Sequence, residues 1–265
     1  MLLDSSFNEI ASEYDDHFTN SIIGKMQRGR VKKIVSKYLP KNKSLSILEI
    51  NCGTGEDAIW LTHKGHHVLA TDISDKMIDI AKTKAKNLQL NIQFDICSFS
   101  ELKQKLHGQK FDLIFSNFAG LNCISEEEFK KLNTDFELLL KPNGKLIFIL
   151  LGKYCWIERV YFALKKNVKN SKRRLSPNEA NLGNNSFQKV WCYSVKEVQK
   201  MFYSFKLNKS YPIGIIIPPS YFEKTLIQFK SLIPLIKYSE NCFAVFSFLT
   251  NYGDHACIIL SHKES

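Results

Sequence analysis

Long hydrophobic runs are absent from this chain of 265 residues. Its strongest apolar stretches, residues 146–151 and 213–217, are far shorter than the roughly 18 residues that a membrane-spanning helix needs. The N-terminus carries Asp4 and Glu9 and lacks the basic-then-apolar pattern of a secretory signal. The sequence therefore predicts a cytoplasmic protein without membrane-spanning helices.

Closely spaced cysteine pairs are also absent. None of the seven cysteines belongs to a C-x-x-C pair, which argues against a zinc site and against a disulfide framework. No other group of histidines, cysteines and carboxylates has the spacing of metal ligands, so we expect no metal. Free thiols fit a reducing compartment such as the cytoplasm.

An excess of acidic charge is missing as well, because the net charge of the chain is +11. The positive charge is concentrated in residues 153–209, which contain 13 lysines and arginines but only three acids. A basic segment of this kind can hold nucleic-acid phosphates, contact an anionic membrane or remain solvated. Charge alone leaves these three alternatives open.

What the chain does contain is a strand, a glycine-rich turn and a helix in direct succession. Residues 45–50 form an apolar run that includes Glu49, and the turn Asn51-Cys-Gly-Thr-Gly55 follows it. A second short strand ends in Asp72, at the distance where nucleotide-binding α/β proteins hold the ribose hydroxyls of their ligand. This arrangement predicts a nucleotide-type ligand at the ends of two parallel strands.

Two acidic residues at the start of the helix distinguish a dinucleotide from S-adenosylmethionine. A dinucleotide loop requires G-x-G-x-x-G so that the helix N-terminus can hold a pyrophosphate, and the third glycine is missing here. Glu56 and Asp57 would also repel a pyrophosphate and favour a cationic or zwitterionic ligand. The loop therefore favours S-adenosylmethionine and disfavours a dehydrogenase.

Strands and helices alternate up to residue 151, which predicts parallel β-α-β units in a doubly wound α/β sheet. An aromatic and basic stretch then interrupts the alternation, and helices and two strands close the chain. We predict four parts: an N-terminal helical lid at 1–39, a ligand-binding core at 40–152, a cap insertion at 153–190 and the C-terminal part of the core at 191–265.

Three motifs carry a resemblance to a known family. Glu49-Ile-Asn-Cys-Gly-Thr-Gly-Glu56 resembles motif I of the class I S-adenosylmethionine-dependent methyltransferases, and Phe111-Asp-Leu-Ile-Phe-Ser-Asn-Phe118 resembles motif IV. Phe7-Asn-Glu-Ile-Ala-Ser-Glu-Tyr-Asp15 is similar to the opening of the ubiquinone/menaquinone-type group within that class. The resemblance implies a Rossmann-like seven-stranded sheet with an antiparallel last strand, an N-terminal helical lid and a helical cap inserted after strand five.

The resemblance also implies how the cofactor, S-adenosylmethionine, is bound. Asp72 would accept both ribose hydroxyls, and Glu49 would face the positively charged methionyl end. Tyr14 would cover the sulfonium through its ring electrostatics, and Arg28 would pair with the cofactor carboxylate. The alternatives are an N-cap role for Asp72, simple helix packing for Tyr14 and a solvated charge for Arg28.

The same family resemblance implies the contacts to adenine. Ile73 and Met77 would sandwich the ring, Asp95 would accept its amino group, and the backbone amide of Ile96 would contact it. Asp95 as an ordinary turn residue is the alternative. The remaining implied contacts belong to the glycine loop and motif IV, namely Asn51, Gly53, Thr54, Gly55, Asn117, Phe118 and Asn122.

The candidate residues for binding or deprotonating the methyl acceptor are two histidines and several residues of the cap. His17 on the lid and His255 at the start of the last strand are the two histidines that we consider as general bases. In the cap, aromatic residues at helical spacing precede a basic cluster, which fits an anionic lipid surface or a pocket for an acidic head group; a packed helix with a solvated end is the alternative. The cap candidates are Tyr154, Trp156, Tyr161, Arg173 and Arg174.

These observations together predict a methyltransferase that modifies a small hydrophobic or lipid-like acceptor on oxygen or carbon, with peripheral contact to an anionic inner membrane surface. An RNA methyltransferase using residues 153–209 is a competing interpretation, and a non-catalytic cofactor-binding subunit is another. The segment Ser116-Asn-Phe-Ala119 lacks the N-P-P-[YF] signature of base-amino methylases, which argues against nucleic acid. The acceptor's identity and the oligomeric state are left open.

Overall fold

The computed structural model describes residues 6–183 and 186–263, and a seven-stranded sheet lies at its centre. The strands in the described part of the chain are β1 (Ser46–Ile50), β2 (His67–Asp72), β3 (Gln93–Ile96), β4 (Phe111–Ser116), β5 (Leu140–Leu151), β6 (Asn178–Gly183), β7 (Ser186–Val190), β8 (Phe205–Ile213) and β9 (His255–His262). The α-helices there are α1 (Ile22–Val35), α2 (Glu56–His63), α3 (Asp75–Asn87), α4 (Leu102–Lys105), α5 (Glu126–Leu139), α6 (Trp156–Leu164), α7 (Val168–Ser171), α8 (Val195–Met201), α9 (Glu223–Gln228) and α10 (Ile233–Phe243).

The strand order of the main sheet is β3-β2-β1-β4-β5-β9-β8. Strands β1 to β5 are parallel, and β9 runs antiparallel to both β5 and β8, between which it is inserted. The order reverses between β1 and β4, which creates the crevice where open α/β sheets bind ligands. The predicted Rossmann-like sheet with an antiparallel last strand is confirmed.

Apolar side chains cover both faces of the sheet, as the near-continuous apolar character of its parallel strands predicts. On one face, Leu48 and Ile50 of β1 belong to a core cluster with Phe129 and Phe136 of α5. On the other face, Ile47 of β1 belongs to a second cluster that includes side chains of α1, α2 and α3. Because successive residues of a strand point to opposite faces, one strand serves both clusters.

Serine residues cap the N-termini of α3 and α5. Ser74 accepts a hydrogen bond from the Met77 amide at the start of α3. Ser125 and Glu128 form a capping box at the start of α5, with reciprocal side-chain to backbone bonds. These caps fix where each helix begins and so where each preceding loop crosses the ends of the strands.

The two segments outside the regular alternation both pack against the core. The lid contains a π-helix (Asp15–Thr19) and α1, and Glu223 of α9 accepts hydrogen bonds from the amides of Ile22 and Ile23 at 2.7 and 2.9 Å. Residues 153–190 contain α6 and α7, and in addition the antiparallel hairpin β6–β7, which the sequence did not predict. Among the described residues, none of the helices combines the length and the apolar character needed to cross a bilayer.

Candidate functional site

A cavity of about 420 Å³ opens where β1, β2 and β4 end. It lies at the point where the strand order reverses, as expected for a ligand site in this architecture. Its wall contains eleven of the cofactor-site residues predicted from the sequence, namely Tyr14, Arg28, Glu49, Asn51, Gly53, Thr54, Asp72, Ile73, Met77, Asn117 and Phe118. The structure thus brings residues from the lid, the glycine loop and motif IV to one place.

The glycine loop adopts left-handed backbone angles at three positions. Asn51 has φ +53°, Gly53 +53° and Gly55 +79°. Asparagine tolerates this region, which explains how the turn forms without a glycine at its first position. At Gly55 a side chain has no room, because a Cβ atom there would lie 2.8 Å from the Cβ of Ala81. Gly55 therefore permits the loop to pack on α3, and unlike Gly53 it does not line the cavity.

Asp72 is buried at the end of β2 and holds the glycine loop. Its carboxylate accepts hydrogen bonds from the amides of Gly53 at 2.8 Å and Ser74 at 2.9 Å. Burial raises the pKa of Asp72, and these backbone hydrogen bonds oppose that shift. Ser74, rather than Asp72, accepts the capping bond of α3, so the capping alternative for Asp72 does not hold.

Glu49 is a buried carboxylate with an unfilled hydrogen-bonding position. Its Oε2 atom has no partner among the described residues. Burial, followed by the nearby carboxylate of Asp57, raises the pKa of Glu49 well above its usual range. A cationic ligand group would provide the missing partner and favour the ionised form. Glu49 therefore fits the ammonium group of a methionyl moiety.

Arg28 and Asp57 form a buried ion pair beside Glu49. Asp57 Oδ2 also accepts a hydrogen bond from Asn117 Nδ2 at 2.7 Å, which joins the pair to the end of β4. The guanidinium of Arg28 lies 5.0 Å from the ring centre of Phe118. Arg28 is thus not a solvated charge; it is fixed in the cavity wall, and its Nε atom has no protein partner in the described part of the chain.

The lid is attached directly to the glycine loop. Asp15 accepts hydrogen bonds from Thr54 Oγ1 at 2.7 Å and from Lys84 Nζ at 2.8 Å, and Lys84 also pairs with Glu56 at 2.5 Å. These contacts place Tyr14 over the loop, and burial raises the pKa of its hydroxyl to about 12. A neutral, half-buried aromatic ring in this position fits a cover for a cationic sulfur.

The motif IV loop is strained. Phe118 and Ala119 have φ values of +45° and +67°, a region that L-residues with side chains rarely adopt. The side chain of Asn51 stabilises this loop, because it donates to the Asn117 carbonyl at 2.7 Å and accepts from Ser116 Oγ at 2.6 Å. Strain held in place by neighbouring hydrogen bonds is typical of functional loops.

Several predicted residues lie away from this cavity. Asp95 and Ile96 are the last two residues of β3 and do not line the cavity. The wall at this point is formed by Cys97, Ser98 and Phe99, which follow the strand. Asn122 is fully buried, where it accepts from the Leu151 amide and donates to the Trp191 carbonyl. The proposed adenine contact through Asp95 and the wall contact through Asn122 are therefore not supported by their positions.

The three aromatic cap candidates, Tyr154, Trp156 and Tyr161, line neither this cavity nor the second cavity that adjoins it. Trp156 donates its indole N–H to the Ile215 carbonyl at 2.6 Å. The ring of Tyr154 lies 6.2 Å from that of Tyr252, and the ring of Tyr161 lies 4.7 Å from that of Phe222. These side chains fasten the cap to the C-terminal segment.

A second cavity, of about 620 Å³, adjoins the first. The two share a wall made of Phe7, Tyr14, Phe118, Cys123 and Gln188. Sequence reasoning missed Gln188, which lies on the hairpin β6–β7, and no local pattern identifies a hairpin residue as part of a site. The second cavity has mainly aromatic and aliphatic walls, so it suits an apolar molecule lying next to the ligand of the first.

Both histidines considered as bases line the second cavity, but in different settings. His255 is buried, and its Nδ1 atom lies 3.2 Å from Asp254 Oδ2, a close contact without the alignment of a hydrogen bond. Its ring meets that of Phe118 edge-on at 5.4 Å. His17 is an exposed rim residue, 3.7 Å from Glu13.

A buried ion network borders the second cavity. Arg174 contacts the carboxylates of both Glu158 and Asp254, and Arg173 forms two hydrogen bonds to Glu158 at 2.8 and 2.7 Å. The two arginines were predicted as cap residues, and they do line this cavity. The role of Glu158 was missed, although it is one of only three acids within the basic segment 153–209. Within the described ranges, no group of acids, histidines and cysteines could hold a metal ion.

Comparisons with known proteins point to the same kind of site. Residues 47–144 match a family described as "Methyltransferase domain". The chain is 27% identical over 169 residues to demethylmenaquinone methyltransferase of Leptospira interrogans, covering 59% of this chain and 65% of that protein. It is 31% identical over 124 residues to ubiquinone biosynthesis O-methyltransferase of Coxiella burnetii, covering 47% and 50%. The chain thus spans about half to two thirds of the length of the curated relatives it matches.

A solved structure extends the likeness to the whole chain. An S-adenosylmethionine-dependent methyltransferase from Clostridium acetobutylicum aligns with a TM-score of 0.59 and 16% identity, covering 98% of this chain and 100% of that one. At this identity the likeness shows the fold alone.

Proposed function

We propose that this chain, a member of the class I S-adenosylmethionine-dependent methyltransferases, transfers a methyl group to a small apolar acceptor. The observation that carries this proposal is the pairing of two cavities across a shared wall. One has buried carboxylates at Glu49 and Asp72 beside a glycine loop, and the other has apolar walls. Such a pair fits a charged nucleoside cofactor next to a hydrophobic acceptor.

The residues of the first cavity fit S-adenosylmethionine at each of its ends. Asp72 would accept the ribose hydroxyls, and Ile73 and Met77 would contact the adenine. Glu49 would hold the ammonium group, and Tyr14 would cover the sulfonium. When bound, the cofactor supplies a methyl group already activated by the positive charge of its sulfur.

The protein's own contribution is then positioning and exclusion of water. Phe118 and Tyr14 form the wall between the cavities, so an acceptor atom in the second cavity would meet the methyl group at this wall. The strained backbone of Phe118 and the anchoring of the lid through Asp15 would keep both rings in place. This arrangement needs no metal.

A quinone-type or phenolic acceptor is the substrate class that we propose. The names of the relatives in Leptospira and Coxiella refer to demethylmenaquinone and to ubiquinone biosynthesis. In this chain the second cavity has Phe7, Phe18 and Phe162 among its lining residues, and flat aromatic walls suit a flat aromatic acceptor. RNA is less compatible with it, because Arg173 and Arg174 are already paired with Glu158.

We expect the protein to bind S-adenosylhomocysteine and S-adenosylmethionine but not NAD. The glycine loop lacks the third glycine that a pyrophosphate-binding loop requires, and the buried carboxylate of Glu49 favours an ammonium group. Isothermal titration calorimetry with all three ligands measures this directly. Binding of NAD without a response to either sulfur ligand would refute the proposed function. Cofactor binding without methylation of any phenol or quinol would instead support the non-catalytic alternative.

We also propose that one face of the protein contacts an anionic membrane surface. Trp156, Val160 and Leu164 of α6 are exposed, and so are Leu235 and Tyr238 of α10. The ring contacts of Tyr154 with Tyr252 and of Tyr161 with Phe222, described above, join the two segments. We call this surface, made of residues 156–172 and 221–252, the cap face.

The charges of the cap face are of one sign. Glu158 and Glu240 are buried, and Glu223 is engaged with the amides at the start of α1. The exposed charged side chains are all basic: Arg159, Lys165, Lys166, Lys169, Lys172, Lys224, Lys230 and Lys237. Apolar side chains surrounded by lysine suit an anionic lipid surface.

Replacing Lys165, Lys166, Lys169 and Lys172 by alanine is expected to reduce binding to phosphatidylglycerol vesicles by about 10²–10³-fold, at roughly 1 kcal/mol per lysine near the surface. Co-sedimentation at low and at physiological salt measures the effect, with phosphatidylcholine vesicles as the neutral comparison. The matched control replaces four exposed lysines on α3 and α5, namely Lys76, Lys82, Lys86 and Lys130. Equal losses of vesicle binding in both variants, or no binding by the unmodified protein, would rule out the cap face as a membrane-binding surface.

A further inference from the structure

We propose that the second cavity is the binding site for an acceptor that enters with a neutral hydroxyl, and that His255 removes the hydroxyl proton during methyl transfer. Asp254 acts as the positioning residue of this histidine. The inference rests on the proposed function, because it concerns the acceptor side of the same reaction. It goes further by naming the acceptor atom and the group that receives its proton.

The position of His255 satisfies the geometric requirement for a general base. It is buried, it lines the second cavity, and its ring lies against Phe118, which forms part of the wall shared with the first cavity. Its Nδ1 atom faces Asp254 at 3.2 Å, so Nε2 is the ring nitrogen available to a molecule in the cavity. A base must lie within hydrogen-bond reach of the proton that it takes.

Asp254 is held firmly enough to orient the histidine. Its Oδ2 atom accepts a hydrogen bond from Gln27 Nε2 at 2.9 Å, and its Oδ1 atom accepts one from Arg174 at 2.6 Å. Arg174 also donates to the Asp254 backbone carbonyl at 2.9 Å. Burial alone would raise the pKa of Asp254, but His255 and Arg174 hold it well below its usual range. An ionised carboxylate beside Nδ1 stabilises the imidazolium that forms when Nε2 takes a proton.

The charges around the cavity favour a neutral acceptor over a preformed anion. The charged and titratable groups that line the second cavity together with His255 are Asp254, the residue that precedes it, Arg173 and Arg174 from the cap, Tyr14, Tyr221, Cys123, Cys192 and the rim residue His17. Both arginines are paired with Glu158, and Arg174 is also paired with Asp254. With these cations neutralised, an anionic acceptor would gain little, so the hydroxyl would lose its proton only inside the site.

The chemical step balances without any further reactant. The hydroxyl oxygen forms a bond to the methyl carbon, the bond between that carbon and sulfur breaks with its electron pair remaining on sulfur, and the hydroxyl proton moves to His255 Nε2. The products are a methyl ether, a neutral thioether and an imidazolium. The imidazolium returns its proton to water when the products leave. A phenol or an enol on a flat apolar body is the acceptor class that meets these requirements.

The experiment uses 4-nitrophenol, whose phenol and phenolate forms absorb at different wavelengths. The full-length protein is first saturated with S-adenosylhomocysteine, as measured by calorimetry, and the bound probe is then titrated with pH. We expect the bound probe to ionise at a pH about one unit lower in the unmodified protein than in His255→Gln, a tenfold change in the ionisation ratio. The probe's dissociation constant at acidic pH should change little, because the substitution retains the volume of the side chain.

Turnover supplies a second readout with the same probe. His255→Gln should lower kcat by about 10²–10⁴-fold, with KM nearly unchanged, and should remove the acidic limb of the pH profile. His17→Gln separates the two histidines, since it should leave the ionisation of the probe unaltered.

Three outcomes would overturn the assignment: an equal ionisation of the probe in the unmodified protein and in His255→Gln, a shift lost in His17→Gln instead, or no binding of the probe to the loaded protein. A protein that fails to bind S-adenosylhomocysteine would instead refute the proposed function itself.

Discussion

Replacing Glu158 by glutamine is expected to lower the free energy of unfolding by about 3–5 kcal/mol, the usual cost of removing one partner from a buried ion pair. The Glu158 carboxylate is almost inaccessible to solvent and accepts hydrogen bonds from Arg173, Arg174 and the Tyr221 hydroxyl. Glutamine keeps the shape but removes the charge, so Arg173 loses its carboxylate partner and Arg174 keeps only that of Asp254. Urea denaturation at pH 7 measures the loss.

The effect should depend on pH in a direction set by the pKa of Glu158. Burial raises this pKa, but the two arginines outweigh burial and lower it below the usual value. A carboxyl group whose pKa is lower in the folded than in the unfolded protein stabilises the fold above the unfolded pKa. That contribution is lost as the pH falls. The difference in the free energy of unfolding between Glu158→Gln and the unmodified protein should therefore be largest at pH 7 and should decrease below about pH 4–5.

An exposed ion pair provides the matched control. Glu127 and Lys131 lie 3.1 Å apart on α5, and both side chains are largely exposed. Because exposed pairs contribute little, Glu127→Gln should change the free energy of unfolding by no more than about 0.5 kcal/mol. A Glu158→Gln variant that is as stable as this control at pH 7 would contradict the assignment of the network as a structural element. An effect that grows toward low pH would contradict the pKa argument.

The sequence was sufficient for the parts of the fold and site that depend on local signals. The apolar run ending at Glu49, the left-handed turn and the strand ending at Asp72 are each encoded within a few residues, so their relative positions follow from the geometry of parallel strands. The alternation of strands and helices likewise predicted the sheet. The substitution of Asn51 for a glycine did not disturb this prediction, because asparagine adopts the required backbone angles.

The sequence was insufficient where position depends on long-range packing. Asp95, in β3, was predicted to accept the adenine amino group. The wall of the first cavity, however, begins only after β3 ends, at Cys97. The hairpin that brings Gln188 to both cavities pairs two short strands, and nothing in their sequence places them beside a site. The pairing of Glu158 with Asp254 through one arginine joins residues far apart in the chain, and no pattern of spacing predicts such a contact.

Replacing Asp72 by alanine is expected to weaken binding of S-adenosylhomocysteine by at least about 10²-fold. Two charge-assisted hydrogen bonds to the ribose would be lost, each contributing about 1.5–3 kcal/mol. The carboxylate is buried, and it also holds the Gly53 amide, so its removal would loosen the glycine loop in addition. Calorimetric titration of both proteins measures the change in the dissociation constant.

Asp75, three residues further along, supplies the matched control for this substitution. It is exposed in the first turn of α3 and lines neither cavity, so Asp75→Ala should leave the dissociation constant unaltered. Helix α3 should form in both variants, because Ser74 provides its N-cap. A loss of thermal stability in Asp72→Ala with unchanged affinity would mean that the carboxylate serves only the loop. Weakened affinity in a protein of nearly normal stability, by contrast, would support contact between Asp72 and the ligand, since the cap and the helix remain intact.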